Sequence, residues 1–395
     1  MPAGLNLTLQ KGREVPVRFG HPWIFSGALA KAPQTEIATL ADILSSRGEL
    51  LGLGFFTPHA RLAVRMLTQP GEPAFSAGTI RQRLAAAIEL RRHLFTGENN
   101  SARLVFAESD FLPGLIVDQF DGILSVQLNS AFAEHYREDI LTSLNALLKP
   151  KQVFDTSDNE ARNREGLKPV SRINNADEII IQSGGIRYAA HIGAGQKTGF
   201  YLDQRTNRAL VAEHAAGRRV LDAFCYSGGF SLACAKAGAT AVTAIDSSAD
   251  ALALFKRNLE LNAADLKQNA PMNLVQADVF EELRKMKAAG EKFNLIVLDP
   301  PKLAPSRSKA AAAEKAYKDL KLQALHLAAP GALLATFSCS GAMTFDKLRQ
   351  VLHYAAHDAG KQLQILRPLV QAEDHPVLLA FPESEYLRGY LCRVY

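Results

Sequence analysis

Through residues 1–73 the apolar positions fall in short runs separated by turn-forming residues. In ILSSRGELLGLGFF (43–56) two apolar runs flank Arg47-Gly48, and in RLAVRML (61–67) apolar and polar positions alternate. That period of two sets Leu62, Val64 and Met66 on one face and Arg61 and Arg65 on the other, as a half-buried strand requires. The reading is a small β-barrel followed by a linker at Pro70-Gly71-Glu72-Pro73. The pattern then turns helical: TIRQRLAAAIELRRHLF (79–95) sets Leu84, Ile88 and Leu94 near one stripe, with several arginines outside it. LIVDQFDGILSVQL (115–128) predicts a hairpin, because Asp121-Gly122 suits a type I′ turn between apolar strands. A helix over 131–148, a strand at 152–157, a polar surface loop over 159–169 and strands at 178–182 and 186–192 complete a second, α+β region spanning 74–185.

From 186 to 395 the rhythm is regular. Apolar strands (RRVLDAF, ATAVTAID, NLVQAD, FNLIVLD, GALLATFS and a late pair near KQLQILRPL and YLRGYLCRVY) alternate with amphipathic helices such as ADALALFKRNLEL and AAAAEKAYKDLKLQALHLAA. That alternation predicts an α/β domain with a doubly wound, Rossmann-like parallel sheet. Ligands of such sheets bind beyond the carboxyl ends of the strands, so the residues just after each strand are the ones to inspect.

The whole-chain composition narrows the function classes. A length of 395 residues predicts two or three domains, since one core seldom grows past ~250–300 residues. No apolar run reaches the ~18 residues that cross a bilayer, which speaks against a membrane protein. The first twenty residues lack a leader-type apolar stretch. The four cysteines, Cys225, Cys234, Cys339 and Cys392, form no CxxC pair, so neither a zinc ribbon nor a disulfide framework is indicated and a reducing cytoplasm fits. The net charge of +5 permits a polyanionic partner without demanding one.

The strand ends carry the chemistry. Asp222 closes the first sheet strand ahead of the Gly228-Gly229 turn, where G-x-G-x-x-G is absent. A pyrophosphate would be repelled there, whereas the ammonium of an amino-acid-bearing cofactor would be welcome. Asp246 ends the second strand, placed to accept from ribose hydroxyls, and Asp278 the third, placed to accept from an adenine amine. The alternative for each is helix capping. Three such acids at successive strand ends predict S-adenosylmethionine. Asp299 ends the fourth strand before Pro300-Pro301, which hold the backbone extended. Lys302 follows where enzymes that methylate exocyclic amines place a stacking aromatic. Cys339 ends the fifth, flanked by Ser338, Ser340 and Gly341. A thiolate there could add to carbon 6 of cytosine and so make carbon 5 nucleophilic, with Asp299 at N3; the plainer reading of Cys339 is a small buried hydrophobe.

These residues resemble the bacterial 23S rRNA (cytosine-5)-methyltransferase family. The match runs over nearly the whole chain: KGREVPVRFGHPWIFSGALA (11–30), FTPHARLAVRML (56–67), KTGFYLDQRTNR (197–208), VLDAFCYSGGF (220–230), VLDPPK (297–302), TFSCSG (336–341) and QAEDHPVLLAFPESEYLRGYLCRV (371–394). The resemblance implies a PUA-like RNA-binding domain over 1–73, a central α+β domain over 74–185 and a class I methyltransferase domain over 186–395. It implies Asp222, Phe224, Tyr226, Ser227, Gly228, Asp246, Ser247, Asp278 and Val279 around the cofactor, with Asp299 at the base and Cys339 as nucleophile. Phe200, Tyr201 and Gln204 would cover the cofactor, or else simply belong to a buried segment capped by Asp203. The implied partner is 23S rRNA or a large-subunit precursor, and the family suggests a homodimer. The His21-Pro22-Trp23 segment would face RNA, although Trp23 read alone is a core residue. Lys302 stands where other RNA cytosine-5 methyltransferases carry a second cysteine, so the pattern does not identify the group that assists product release. Methylation of another rRNA base such as guanine, a non-catalytic assembly factor and a nicotinamide dehydrogenase are the alternatives. The first two are opposed by Cys339 and by the intact set of acids, the third by the missing glycine pattern.

Overall fold

The computed structural model describes residues 4–31, 33, 35–171, 178–192, 200–266, 271–303 and 310–395. The chain divides into two compact units, one of Met1–Ile181, Ala190–Leu202 and Glu373–Ser384, the other of Gln182–Ala189, Asp203–Ala372 and Glu385–Tyr395. Lys197, Thr198 and Gly199 of the family-like segment lie outside the described residues.

In the first unit, β1 (Asn6–Thr8), β2 (Trp23–Phe25), β3 (Thr39–Leu44), β4 (Leu50–Phe56) and β5 (Leu62–Thr68) form a sheet in the order β1-β3-β4-β5-β2, with the short α1 (Val15–Arg18) between its first two strands. A bridge between Leu9 and Leu29 joins the continuations of the outer strands, so the sheet edges meet in a barrel-like closure. Strand β5 departs from the expected two-faced pattern. Val64 and Met66 are buried as predicted, but so are Ala63, Arg65 and Leu67. Arg65 is not on a solvent face; it pairs with Glu108 and, at 2.7 Å, with Glu165. Both carboxylates come from far along the chain, so local periodicity could not reveal them. Trp23 is half-buried, donates from Nε1 to Glu108 at 2.8 Å and meets Phe381 edge-on at 4.5 Å.

Helix α2 (Ala77–Arg91) starts at a Ser76–Thr79 capping box and buries Ile80, Leu84, Ala87 and Arg91. Arg91 breaks the expectation that the arginines lie outside: it is fully buried and reaches both oxygens of Asp110, at 2.7 and 2.8 Å. Strands β6 (Ser101–Phe106), β7 (Leu115–Phe120), β8 (Ile123–Leu128) and β9 (Gln152–Asp155) make a second sheet in chain order. Its β7–β8 turn has positive φ at Asp121 (49°) and Gly122 (79°), as a type I′ turn requires. The helix expected over 131–148 is two, α3 (Ala131–His135) and α4 (Arg137–Leu148), parted at Tyr136. The loop expected over 159–169 contains helix α5 (Asn159–Arg164), capped by Asp158, whose buried Arg162 pairs with Glu134 at 2.7 Å. Strands β10 (Glu178–Ser183) and β11 (Ile186–His191) form a hairpin.

The second unit is the predicted α/β sheet. Strands β12 (Arg219–Ala223), β13 (Ala241–Asp246), β14 (Met272–Gln276), β15 (Phe293–Leu298), β16 (Ala328–Ser338), β17 (Leu363–Val370) and β18 (Arg388–Val394) take the order β14-β13-β12-β15-β16-β18-β17. All neighbours pair parallel except β18, which is antiparallel to both β16 and β17. Alternate strand residues serve opposite cores. Leu221, Ile296, Leu298 and Leu334 pack with Leu283 of α9 (Val279–Ala288), Leu320 of α10 (Ala310–Leu327) and Leu348 of α11 (Phe345–Asp358). Val220, Leu295, Val297 and Phe337 pack with Val211 of α6 (Arg205–Ala212) and Phe230 of α7 (Gly229–Lys236). Helix α8 (Ala249–Leu261) follows β13. The strand order reverses between β12 and β15, and the crevice at that reversal is where such sheets take ligands. Among the described residues, no helix is long and apolar enough to cross a membrane.

Candidate active site

The residues at the end of β12 are held in a strained turn. Phe224 (φ 65°), Tyr226 (φ 49°) and Gly228 (φ 83°) all lie in the left-handed region. The two non-glycines cost about 1–2 kcal/mol each there, so something must over-determine the turn. Asp246 and Asn258 do so: Tyr226 N donates to Asp246 Oδ2 at 2.9 Å, and Asn258 Nδ2 donates to the Ser227 carbonyl at 2.9 Å. Gly228 has no alternative, since a Cβ would sit 2.3 Å from the Phe255 ring, and one on Gly229 would meet Arg208 Nε at 2.6 Å. The backbone is thereby left bare where a cofactor must approach.

Asp222 is 1% exposed and accepts through Oδ2 from Ser231 N (3.0 Å) and Ser231 Oγ (2.6 Å), while Oδ1 has no hydrogen-bond partner among the described residues. Burial pushes its carboxyl up to about 6, the Ser231 hydrogen bonds opposing and Asp246 adding to the rise. A buried carboxylate oxygen with no donor is unfavourable alone and is the complement of an ammonium group. Asp246, half-buried, also accepts from Ser248 N at 2.9 Å through Oδ1. Ser248, not Asp246, caps α8, and Ser247 is exposed beside it. Asp278 is exposed and does cap its helix, accepting from Glu281 N at 3.0 Å, with Val279 buried behind it. A helix N-terminus thus accounts for one oxygen of Asp278 and, through Ser231 N of α7, for one oxygen of Asp222, but not for Asp222 Oδ1.

Beyond β15, half-buried Asp299 accepts through Oδ2 from Gln204 Nε2 at 2.9 Å, and Gln204 Oε1 accepts from Asn207 Nδ2 at 2.6 Å. Burial first, then Asp203, pushes the Asp299 carboxyl up to about 7 against Gln204 and Arg208. Strands β15 and β16 pair with Leu298 opposite Thr336, so Asp299 and Cys339 leave neighbouring strand ends. Cys339 is half-buried, whereas Cys225, Cys234 and Cys392 are buried and burial raises their thiols. Phe200 is buried and falls in the first unit, unlike Gln204.

Sequence reasoning missed Asn258, Ser231, Arg208 and Tyr317. The only signal for Asn258 was a polar residue on the apolar side of α8, shared with Asn262 one turn on. Asn258 Oδ1 accepts from Ala189 N at 2.7 Å, and Asn262 Oδ1 from Arg187 N at 2.9 Å.

Comparison with known proteins agrees with this geometry. Residues 171–364 match a family model described as S-adenosylmethionine-dependent methyltransferase, and residues 7–69 one described as a PUA-like domain. The chain is 39% identical to the ribosomal RNA large subunit methyltransferase I of Pseudoalteromonas atlantica, covering 98% of this chain and 99% of that one. It is 38% identical to the protein of that name from Yersinia pestis, over 99% of both. The SMU.776 structure complexed with SAH superposes with a TM-score of 0.84 at 19% identity, covering 98% of this chain and 100% of that chain, and so shows the shared fold. Buried Asp222 with its open oxygen and the side-chain-free turn at Gly228 fit S-adenosylmethionine, which is the cofactor. By sequence over its full length and by fold, this chain belongs to the ribosomal RNA large subunit methyltransferase I family, with a PUA-like domain joined to a class I S-adenosylmethionine-dependent methyltransferase.

Proposed function

We propose that the chain methylates carbon 5 of a cytosine in 23S rRNA, or in a large-subunit precursor, through a covalent bond between Cys339 and carbon 6. The rRNA substrate is supported by the relatives, which are named for the large subunit. The observation that carries the chemistry is the pairing of strand ends: the one half-exposed cysteine leaves β16 beside a carboxyl with a pKa of about 7 leaving β15. The Cys339 thiolate adds to carbon 6, and the electron pair of the 5,6 double bond moves toward N3. Asp299, partly protonated at neutral pH, donates to N3 and so offsets the charge that develops there. The cofactor, when bound, supplies the methyl group that carbon 5 takes. Loss of the carbon 5 proton to water then expels the thiolate, and N3 returns its proton to Asp299, restoring the neutral ring.

In the cofactor pocket, Asp222 Oδ1 would hold the ammonium, Asp246 the ribose, and Asp278 with Val279 the adenine edge. The turn of Phe224, Tyr226, Ser227 and Gly228 would lie alongside with Ser247, and Gln204 would close over it. The working division is a PUA-like module over 1–73, a central domain over 74–185 and the catalytic domain over 186–395, in a cytoplasmic enzyme that assembles as a homodimer. RNA carrying 5-fluorocytidine tests the chemistry, because fluorine blocks loss from carbon 5 and traps the adduct. Wild-type protein is expected to form an adduct that Cys339→Ala does not. An adduct of undiminished yield with Cys339→Ala removes the nucleophile, and methylation of another base removes the substrate reading.

A further inference from the structure

A buried polar cluster outside the acids and the cysteine stands against both strand ends. Tyr317 and Lys321, one turn apart on α10, are both 0% exposed. On β16, Thr336 and Ser338 share the parity of Leu334, the side that packs on α10. Ser338 Oγ donates to the Tyr317 hydroxyl at 3.0 Å and accepts from Ser340 N at 3.3 Å, so it fixes the segment on either side of Cys339. Burial, with the charges of Cys339 and Asp299 adding to it, raises the pKa of the Tyr317 hydroxyl against the Ser338 hydrogen bond. Below it, Lys321 Nζ lies 4.9 Å from the Tyr317 ring centroid with no hydrogen-bond partner among the described residues. That contact, a cation–π interaction when the amine is charged, holds the ring from beneath.

We propose that Tyr317 is a positioning residue for methyl transfer, its hydroxyl holding the segment that carries Cys339 through Ser338, with Lys321 bracing its ring. The proposal rests on Cys339 being the nucleophile. The phenol oxygen, bonded to Ser338, fixes where the thiol that attacks carbon 6 stands, and a phenylalanine would fill the same space without the tie. A loss of this kind changes the reacting geometry more than it changes binding.

Tyr317→Phe tests this in the full-length enzyme. Single-turnover methyl transfer to large-subunit rRNA is expected to fall about tenfold to a hundredfold. The Kd for S-adenosylmethionine and the KM for RNA should stay within roughly threefold of wild type. Iodoacetamide should alkylate Cys339 at an altered rate, which a residue that only fills the core would leave alone. Ser338→Ala severs the same bond from the strand side and carries the test should Tyr317→Phe misfold. The double variant should be no slower than the worse single one, as for two ends of one link. A single-turnover rate within about twofold of wild type in either variant overturns the proposal. So do losses that multiply in the double variant, and so does equal loss of cofactor affinity and rate. Methylation by Cys339→Ala is a separate outcome: it removes the nucleophile, while the alkylation rates still decide whether Tyr317 positions the thiol.

Discussion

Asp222→Asn separates what this carboxylate costs the fold from what it does for the cofactor. Burial lifts the carboxyl from an ordinary 3.8 to about 6, which amounts to about 3 kcal/mol held against the ionised form. Since the folded pKa lies above the unfolded one, the cost is absent below about pH 4, grows as pH rises and is complete above about pH 6. An amide removes it. It also buries an amide NH2 with no acceptor among the described residues, at about 1–2 kcal/mol, leaving a net gain of about 1–2 kcal/mol. The variant without cofactor should therefore melt roughly 2–8 °C higher than wild type at pH 8, and show little or no gain at pH 5. Cofactor binding should move the other way, because the ammonium loses its ionic partner. Calorimetry is expected to show S-adenosylmethionine affinity lower by about tenfold to a hundredfold. A variant that melts lower than wild type at pH 8, or that binds the cofactor unchanged, refutes the assignment of Asp222 as a strained carboxylate waiting for a cation.

Two further expectations follow from the same site. If Asp299 donates to N3, methyl transfer should decline as pH rises through about 7, the value to which burial lifts its carboxyl; Asp299→Asn should lose that limb of the profile and about a hundredfold or more in rate. A flat wild-type profile across that range speaks against the donor role. Gly228→Ala must place a methyl group 2.3 Å from the Phe255 ring at a backbone φ of 83°, so a stability loss of about 2–5 kcal/mol is expected in denaturant titration. A midpoint equal to that of wild type would show that the turn yields freely.

The α/β sheet was legible because its signals are local. Each strand is a short apolar run, and each functional acid or thiol stands at or near its end: Asp222 and Asp246 in the last two residues of β12 and β13, Asp278 two past β14, Asp299 just after Leu298 and Cys339 just after Ser338. What the sequence concealed were pairings between distant segments. Arg65 looked like solvent-facing punctuation in an alternating strand, and Arg91 like the polar side of a helix. Each is buried because a carboxylate from elsewhere neutralises it, and no window of neighbouring residues contains that partner. Helix α5 was read as a loop for a related reason: NEARNREG is polar throughout, and Arg162 takes its place in the core only by pairing with Glu134. The role of Tyr317 was hidden in the same way, since a tyrosine among the apolar residues of α10 looks like packing until Ser338 is set opposite its hydroxyl.

The pairings of Arg65 bear on how freely this protein's parts can be exchanged. Glu108 and Glu165 both lie beyond the Pro70–Pro73 linker, and Phe55 and Leu67 share one core with Leu84 and Leu115. A fragment cut at residue 73 would strip Arg65 of both its anions and uncover Phe55 and Leu67. The N-terminal barrel is therefore no detachable bead. Any recombination that lent it to another enzyme would have to carry the next hundred residues along, or else provide carboxylates of its own.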